Sequence, residues 1–157
     1  MSFVLSSKRP SVRHGSDPLE KLVDRRRGPL QVLDDRHLSK LGDALLNLIY
    51  SLSLSQASGR PDGKKIPNKT LARALTISNH RSIIPGRSDK HRKGDIVEAI
   101  FAYGWLTGLI DIRESAEFLA NSGSAHKGEL ELEGYARGLA ALLDQILVES
   151  GVPEDER

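Results

Sequence analysis

One stretch of the chain, Ser39–Tyr50, places an acidic residue within an apolar helical pattern. Apolar residues recur there at the spacing of three and four that predicts a helix with one buried face. Asp43 lies inside this pattern, directly after a glycine. A carboxylate near an apolar face loses hydration, so its charge needs compensation from another group. The apolar positions that define the pattern are Leu41, Leu45, Leu48, Ile49 and Leu52.

A second apolar stretch, Lys93–Ala102, carries two more carboxylates. Asp95 and Glu98 are three residues apart, which places both on the same side of a helix. Three carboxylates on two apolar helices predict a site for a hard divalent cation, because such ions prefer oxygen ligands. The alternative is that these carboxylates form salt bridges within a helical protein.

Two short motifs in these stretches resemble motifs of the ribonuclease III family. The first is Leu41-Gly42-Asp43-Ala44-Leu45, and the second, about fifty residues later, is Asp95-x-x-Glu98-Ala99. The resemblance extends from about Leu33 to about Ile110. It implies an all-α, ribonuclease III-like endonuclease domain that cuts double-stranded RNA by metal-dependent phosphodiester hydrolysis.

The resemblance also implies roles for individual residues. Asp43, Asp95 and Glu98 would be the catalytic residues and the ligands of Mg²⁺, for which Mn²⁺ would substitute, in a homodimer. The family pattern has a Glu four residues before the Asp of the Gly-Asp pair, whereas this chain has Ser39. Because a serine adds no negative charge, we expect at least one metal ion to bind weakly in the absence of RNA.

The charge of the chain is distributed unevenly, although the net charge is only +2. Residues 59–93 carry ten Lys and Arg against two Asp and Glu, a local net charge of +8, whereas residues 94–157 carry −9. A strongly basic block beside a carboxylate site attracts polyanions, although a solvated basic surface is the simpler explanation. The residues predicted to bind RNA are Lys64, Lys65, Lys69, Arg73, Arg81, Arg87, Lys90, Arg92 and Lys93.

The length and composition set the remaining expectations. At 157 residues, we expect residues 17–157 to form a single helical domain, preceded by a flexible arm over residues 1–16. No separate RNA-binding domain is expected after the catalytic one. The chain has no cysteine and no apolar run of membrane-spanning length, so we expect a cytoplasmic protein without a membrane partner.

Several local features carry predictions of their own. Asp17-Pro18 predicts the start of a helix that ends at Gly28-Pro29, because proline is favoured in a first turn. His80 and His91 are expected to be polar surface residues, since hard cations prefer oxygen ligands. Asn47, one turn after Asp43, either hydrogen-bonds that carboxylate or is an ordinary polar residue of the helix.

Two functions therefore follow from the resemblance. The first is an endoribonuclease that cuts double-stranded RNA. The second is a non-catalytic RNA-binding relative with the same fold and dimer, which the replacement of Glu by Ser39 favours. A magnesium-dependent cleavage assay distinguishes the two.

Overall fold

A computed structural model describes residues 17–24, 26–123 and 128–156 of the chain. Within these residues the structure is helical and contains no strand, so the predicted all-α fold is confirmed. Three short 3-10 turns accompany the α-helices, at Glu20–Leu22, Pro29–Gln31 and Arg81–Ile83. The five α-helices are α1 (Arg36–Ser58), α2 (Asn68–Ile77), α3 (Lys90–Leu106), α4 (Ile112–Gly123) and α5 (Glu129–Glu149).

Helix α3 lies at the centre of the fold. It packs against α1, α2 and α5, while α4 packs against α1 and α5. Every residue from 96 to 104 is buried, as expected for a helix that neighbours cover on all sides. The side chains of residues 96–104 therefore have almost no contact with water. A charged residue among them needs a polar or oppositely charged partner.

Side-chain caps set where the two carboxylate-bearing helices begin. The Asp35 carboxylate accepts hydrogen bonds from the backbone N–H groups of His37 and Leu38 at the start of α1. Asp89 accepts a hydrogen bond from the Arg92 N–H at the start of α3. Such caps satisfy N–H groups that have no partner within the helix. Aspartate is among the residues that favour this position, so both helix starts follow from the local sequence.

Gly42 sets the distance between α1 and α3. A Cβ atom at this position would overlap the backbone carbonyl group of Glu98 and lie 2.8 Å from the Glu98 Cα atom. No side chain larger than hydrogen fits, so the backbones of the two helices approach each other at this point. The glycine of the Gly-Asp pair thus brings the residue after it, Asp43, next to the turn of α3 that carries Glu98.

Two local predictions from the sequence are wrong. The described residues 17–24 and 26–28 do not form one α-helix: among them, a single 3-10 turn, Glu20–Leu22, is present. Its apolar residues Leu19 and Leu22 are exposed, so burial does not offset the entropic cost of ordering a short helix.

His80 is the second correction. It is fully buried rather than at the surface. Its Nδ1 atom lies 2.6 Å from the Asp144 carboxylate of α5, and its Nε2 atom lies 3.1 Å from the Val152 carbonyl oxygen. These partners satisfy both ring nitrogens, which makes the burial of a polar ring tolerable.

The remaining expectations concern the ends of the chain and membranes. The predicted arm over residues 1–16 lies outside the described residues, so it stays a prediction. Among the described helices, none combines the length and the apolar character needed to cross a bilayer.

Candidate active site

Glu98 is the buried carboxylate of the site. It lies in the middle of the fully covered part of α3, and only 6% of the residue is exposed. Burial, followed by the charges of Asp43 and Asp95, raises the pKa of Glu98 from 4.5 to about 7, against the opposing effects of the Ser39 hydroxyl and the Lys65 charge. Ionisation of Glu98 is therefore costly in the protein alone.

Ser39 contacts Glu98 directly. Its hydroxyl donates a hydrogen bond to Glu98 Oε2 at 3.2 Å, and Ser39 itself is buried on α1. This bond favours the ionised carboxylate and so lowers the pKa of Glu98. The serine that replaces the Glu of the family pattern thus occupies the expected place in the site, where it acts on Glu98 as a hydrogen-bond donor.

Asp43 is held by the residue one turn further along α1. Asn47 Nδ2 donates a hydrogen bond to Asp43 Oδ1 at 3.1 Å. The other end of the same amide, Asn47 Oδ1, accepts a hydrogen bond from the Ile66 N–H at 2.9 Å. Of the two roles that the sequence left open for Asn47, the structure shows the hydrogen bond to the carboxylate.

Asp95 lies at the rim of the site. Its side chain is exposed, whereas Glu98, one turn further on, is buried. Within the part of the chain that the structure describes, no three Asp, Glu, His or Cys residues form a group that could hold a metal ion. Asp43 and Asp95 thus both lie close enough to Glu98 for their charges to raise its pKa, but the three carboxylates do not form a closed set of ligands.

The basic residues predicted to bind RNA fall into three groups. Lys64 and Lys65 lie in the segment after α1, and Lys69 lies in the first turn of α2. Three more occupy the first turn of α3, directly before the carboxylates: Lys90, Arg92 and Lys93. The starts of α2 and α3 are in contact, because Asn68 Nδ2 lies 3.3 Å from His91 Nδ1. These two groups of cations therefore border the same helix ends.

Two members of the third group already have acidic neighbours. Arg73 binds Glu133 of α5 with two guanidinium nitrogens, at 3.0 and 3.2 Å. Arg81 lies close enough to Asp155 that its charge contributes to lowering the pKa of that carboxyl group. Arg87 is exposed and has a φ of 58° in the connection before α3. Arg73 and Arg81 are thus less available to a phosphate group than a cation without an acidic neighbour. Arg92, near the carboxylates, is also paired, because its guanidinium group lies 3.0 Å from Asp34 Oδ1.

The geometry agrees with a comparison against known families. The family model described as Ribonuclease III matches residues 36–150, a range that includes all five α-helices. This chain belongs to the ribonuclease III family. A comparison with curated proteins gave no match. Members of the ribonuclease III family are endoribonucleases that generally use divalent metal ions, and RNA is the substrate that membership implies.

The matched range contains every residue that the sequence singled out for the site, from Ser39 to Glu98. Two contributors had a signal in the sequence only through the family motif: Gly42 belongs to the Gly-Asp pair, and Ser39 stands where the pattern has Glu. Their contacts were not predicted, because Gly42 meets the backbone of Glu98 and Ser39 binds a partner 59 residues away. The periodicity of α1 places Ser39 about one turn before both Gly42 and Asp43, which indicates that all three face the same neighbour.

Proposed function

We propose that the protein is a divalent-metal-dependent endoribonuclease that cuts double-stranded RNA by phosphodiester hydrolysis. The observation that carries the proposal is the buried Glu98 carboxylate beside Asp43, at the point where Gly42 brings α1 and α3 together. A buried carboxylate whose charge is not balanced is costly in a purely structural role. It is useful where a cation or a proton must bind.

The residues present fit a hard cation. All donors are oxygens, from carboxylates and one hydroxyl, which is the ligand chemistry of Mg²⁺. Asp43 and Glu98 would hold the ion, and the exposed Asp95 would bind it directly or through water. When bound, the metal would supply activation of water and stabilisation of charge on the leaving oxygen. The protein's own residues orient the carboxylates: Asn47 holds Asp43.

The double-stranded form of the substrate is part of the proposal. The proposed binding surface consists of the cations in the segment after α1 and in the first turns of α2 and α3, and the starts of these two helices are in contact through Asn68 and His91. Lys and Arg side chains bind phosphates without reading bases, and an RNA duplex is recognised mostly through its shape, its phosphates and its 2′-hydroxyl groups. Replacing Lys64, Lys65, Arg92 and Lys93 with Ala should weaken binding to duplexes of any sequence and flatten the salt dependence.

A homodimer is the proposed assembly. Leu48 and Leu52 are 47% and 38% exposed, and they lie one turn apart on the solvent side of α1. Their neighbour one turn earlier, Ala44, is exposed too, so an apolar stripe runs along the helix beside Asp43. Sedimentation should show a dimer that Leu48→Glu dissociates, whereas a monomer in both proteins would contradict this assembly.

Cleavage of a perfectly paired RNA duplex in Mg²⁺, Mn²⁺ and Ca²⁺ tests the reaction. Wild type should cut in Mg²⁺ or Mn²⁺, and Glu98→Gln should not cut while still binding the duplex. Glu117→Gln, an exposed carboxylate of α4, is the matched control and should cut like wild type. Absence of cleavage by wild type at any metal concentration would contradict the proposal.

Ser39 favours a second candidate, a non-catalytic RNA-binding relative. The serine leaves one carboxylate fewer, and no closed set of three ligands forms within the described residues. Such a protein would bind the duplex with the same basic surface and cut nothing, even after Ser39→Glu. Duplex binding without cleavage in both proteins would therefore establish this candidate.

A further inference from the structure

Side chains on one face of α1 bind the backbone of the segment that follows the helix. Asn47 Oδ1 accepts a hydrogen bond from the Ile66 N–H at 2.9 Å. One turn further along, Ser51 Oγ accepts a hydrogen bond from the Lys64 N–H at 2.9 Å and donates one to the Lys64 carbonyl oxygen at 3.1 Å. The helix thus binds every second residue of the segment.

The pattern continues for another turn. Ser55 Oγ accepts a hydrogen bond from the Asp62 N–H at 2.9 Å. Residues 47, 51 and 55 are about 6.0 Å apart along a helix that rises about 1.5 Å per residue. Their partners 66, 64 and 62 are about 6.6 Å apart in an extended chain. Because the spacing of the three side chains along α1 nearly matches the spacing of their backbone partners, residues 62–66 are held in an extended conformation along the helix.

This register determines where Lys65 lies. Side chains alternate along an extended chain, so Lys64 and Lys65 point to opposite sides. The segment is anchored on both sides of Lys65, by the Ser51 contacts at Lys64 and by Ile66, which is buried in the core. The Ile66 N–H that binds Asn47 belongs to the peptide group between Lys65 and Ile66, and the same Asn47 amide binds Asp43. Lys65 is therefore the lysine of this segment whose backbone lies next to the Asp43 carboxylate.

Asn47 joins this segment to the active site. Its Nδ2 atom binds the Asp43 carboxylate at 3.1 Å, while its Oδ1 atom binds the Ile66 N–H. One amide group therefore sets the position of a carboxylate and of the residue next to Lys65. Since an amide is planar and short, displacing one partner displaces the other.

We propose that Asn47 is a positioning residue that holds Lys65 beside Asp43, so that the ammonium group binds a phosphate of the RNA strand located at the carboxylates. The inference rests on the proposed function, because it places RNA at this site. It differs from the general expectation of a basic surface, which treats Lys64 and Lys65 as equivalent. It also assigns Asn47 an effect on RNA binding that acts entirely through Lys65.

Binding of a paired RNA duplex tests the inference, measured by fluorescence anisotropy in the Glu98→Gln background, where cleavage does not interfere. Lys65→Ala should weaken binding about tenfold, because a fixed cation at a phosphate is lost. Lys64→Ala, the matched control with the same change of charge, should weaken it less than threefold. Equal effects of the two substitutions would overturn the proposed orientation.

A double-mutant cycle separates positioning from a general structural role. Asn47→Ala should weaken binding about tenfold when Lys65 is present and less than twofold in the Lys65→Ala background. Hydrogen exchange should show faster exchange at the Ile66 amide in Asn47→Ala, while the melting temperature reports whether the fold is retained. Additive effects of Asn47→Ala and Lys65→Ala would overturn the proposal.

The binding cycle and the cleavage assay test the positioning role of Asn47 and the nuclease proposal independently. If wild type cuts no RNA but the cycle is non-additive, the nuclease proposal falls and the positioning role of Asn47 stands. If wild type cuts RNA and the cycle is additive, the positioning role alone falls. If Glu98→Gln and wild type bind no duplex at all, both fall.

Discussion

The free energy of unfolding of wild type should fall as the pH rises, because Glu98 ionises in a buried position. Replacing Glu98 with glutamine should abolish this pH dependence. Glutamine has nearly the same size and shape as Glu98 and still offers an oxygen to the Ser39 hydroxyl, but it carries no charge. In wild type, burial in α3 and the charge of Asp43 raise the pKa of Glu98 to about 7. The substitution therefore changes the charge of a buried group with little change in packing.

The magnitude follows from proton linkage. The Glu98 carboxyl group ionises near its ordinary pKa of 4.5 in the unfolded chain and near 7 in the folded protein. Because the folded state holds the proton more tightly, this contribution to stability is fully present below pH 4.5 and is lost as the pH rises through 7. At about 1.4 kcal/mol per tenfold change in proton affinity, the total loss is about 3 kcal/mol.

Urea unfolding in EDTA at a series of pH values measures this loss, with the fluorescence of the single tryptophan, Trp105, as the signal. Between pH 4.5 and pH 8, the free energy of unfolding of wild type should fall by about 3 kcal/mol relative to Glu98→Gln, equivalent to roughly 6–12 °C in melting temperature. Glu117→Gln, on the exposed side of α4, is the control for loss of a carboxylate at the surface.

A second variant tests the cause. Ser39→Ala removes the hydroxyl that favours the ionised carboxylate, so it should cost about 1 kcal/mol more at pH 8 than at pH 4.5. Parallel stability curves for wild type and Glu98→Gln over this range would refute the reasoning, since Glu98 would then ionise alike in both states. Added Mg²⁺ should recover stability at pH 8 in wild type and not in Glu98→Gln.

Three further predictions concern neighbouring parts of the structure. Ser39→Glu places a second carboxylate beside Glu98, so it should destabilise the metal-free protein at pH 8 and lower the Mg²⁺ concentration needed for cleavage. An unchanged Mg²⁺ titration would contradict this prediction. Gly42→Ala should cost about 3 kcal/mol in urea unfolding because its methyl group meets the Glu98 backbone. Gly94→Ala, whose nearest neighbour would be 3.7 Å away, should stabilise by up to about 1 kcal/mol, and equal effects would contradict the close approach. Asp144→Ala removes the carboxylate partner of His80 and should cost about 3 kcal/mol, with faster hydrogen exchange at the Asp155 amide that binds Asn79.

Local signals in the sequence were sufficient to predict the two carboxylate-bearing helices and the resemblance to the family. The apolar spacing around Asp43 and Glu98 depends only on residues within a few turns, as do the caps at Asp35 and Asp89. Such patterns report a helix because the buried face and the first N–H groups are satisfied by nearby residues. The same locality explains the error at residues 17–28, where a proline and apolar residues were present but Leu19 and Leu22 remain exposed and only Val23 reaches the core.

Contacts between distant residues were decided only by the tertiary structure. Burial of His80 depends on Asp144, 64 residues away, and the bond from Ser39 depends on Glu98, 59 residues away. The segment 62–66 has no apolar period of its own and becomes ordered because Asn47, Ser51 and Ser55 offer partners at a matching step.

The amino-acid sequence by itself determined that the residues around Asp43 and Glu98 form helices, that the chain resembles ribonuclease III, and which carboxylates belong to its motifs. The tertiary structure decided which of those carboxylates is buried: Glu98 is covered by α1 and its neighbours, whereas Asp95, on the same helix, is exposed. The physical reason is that a pKa depends on the dielectric surroundings and the charges around a group, and these are supplied by residues remote in sequence. Spacing along the chain shows that Asp95 and Glu98 share a face, and only packing shows how deep that face lies.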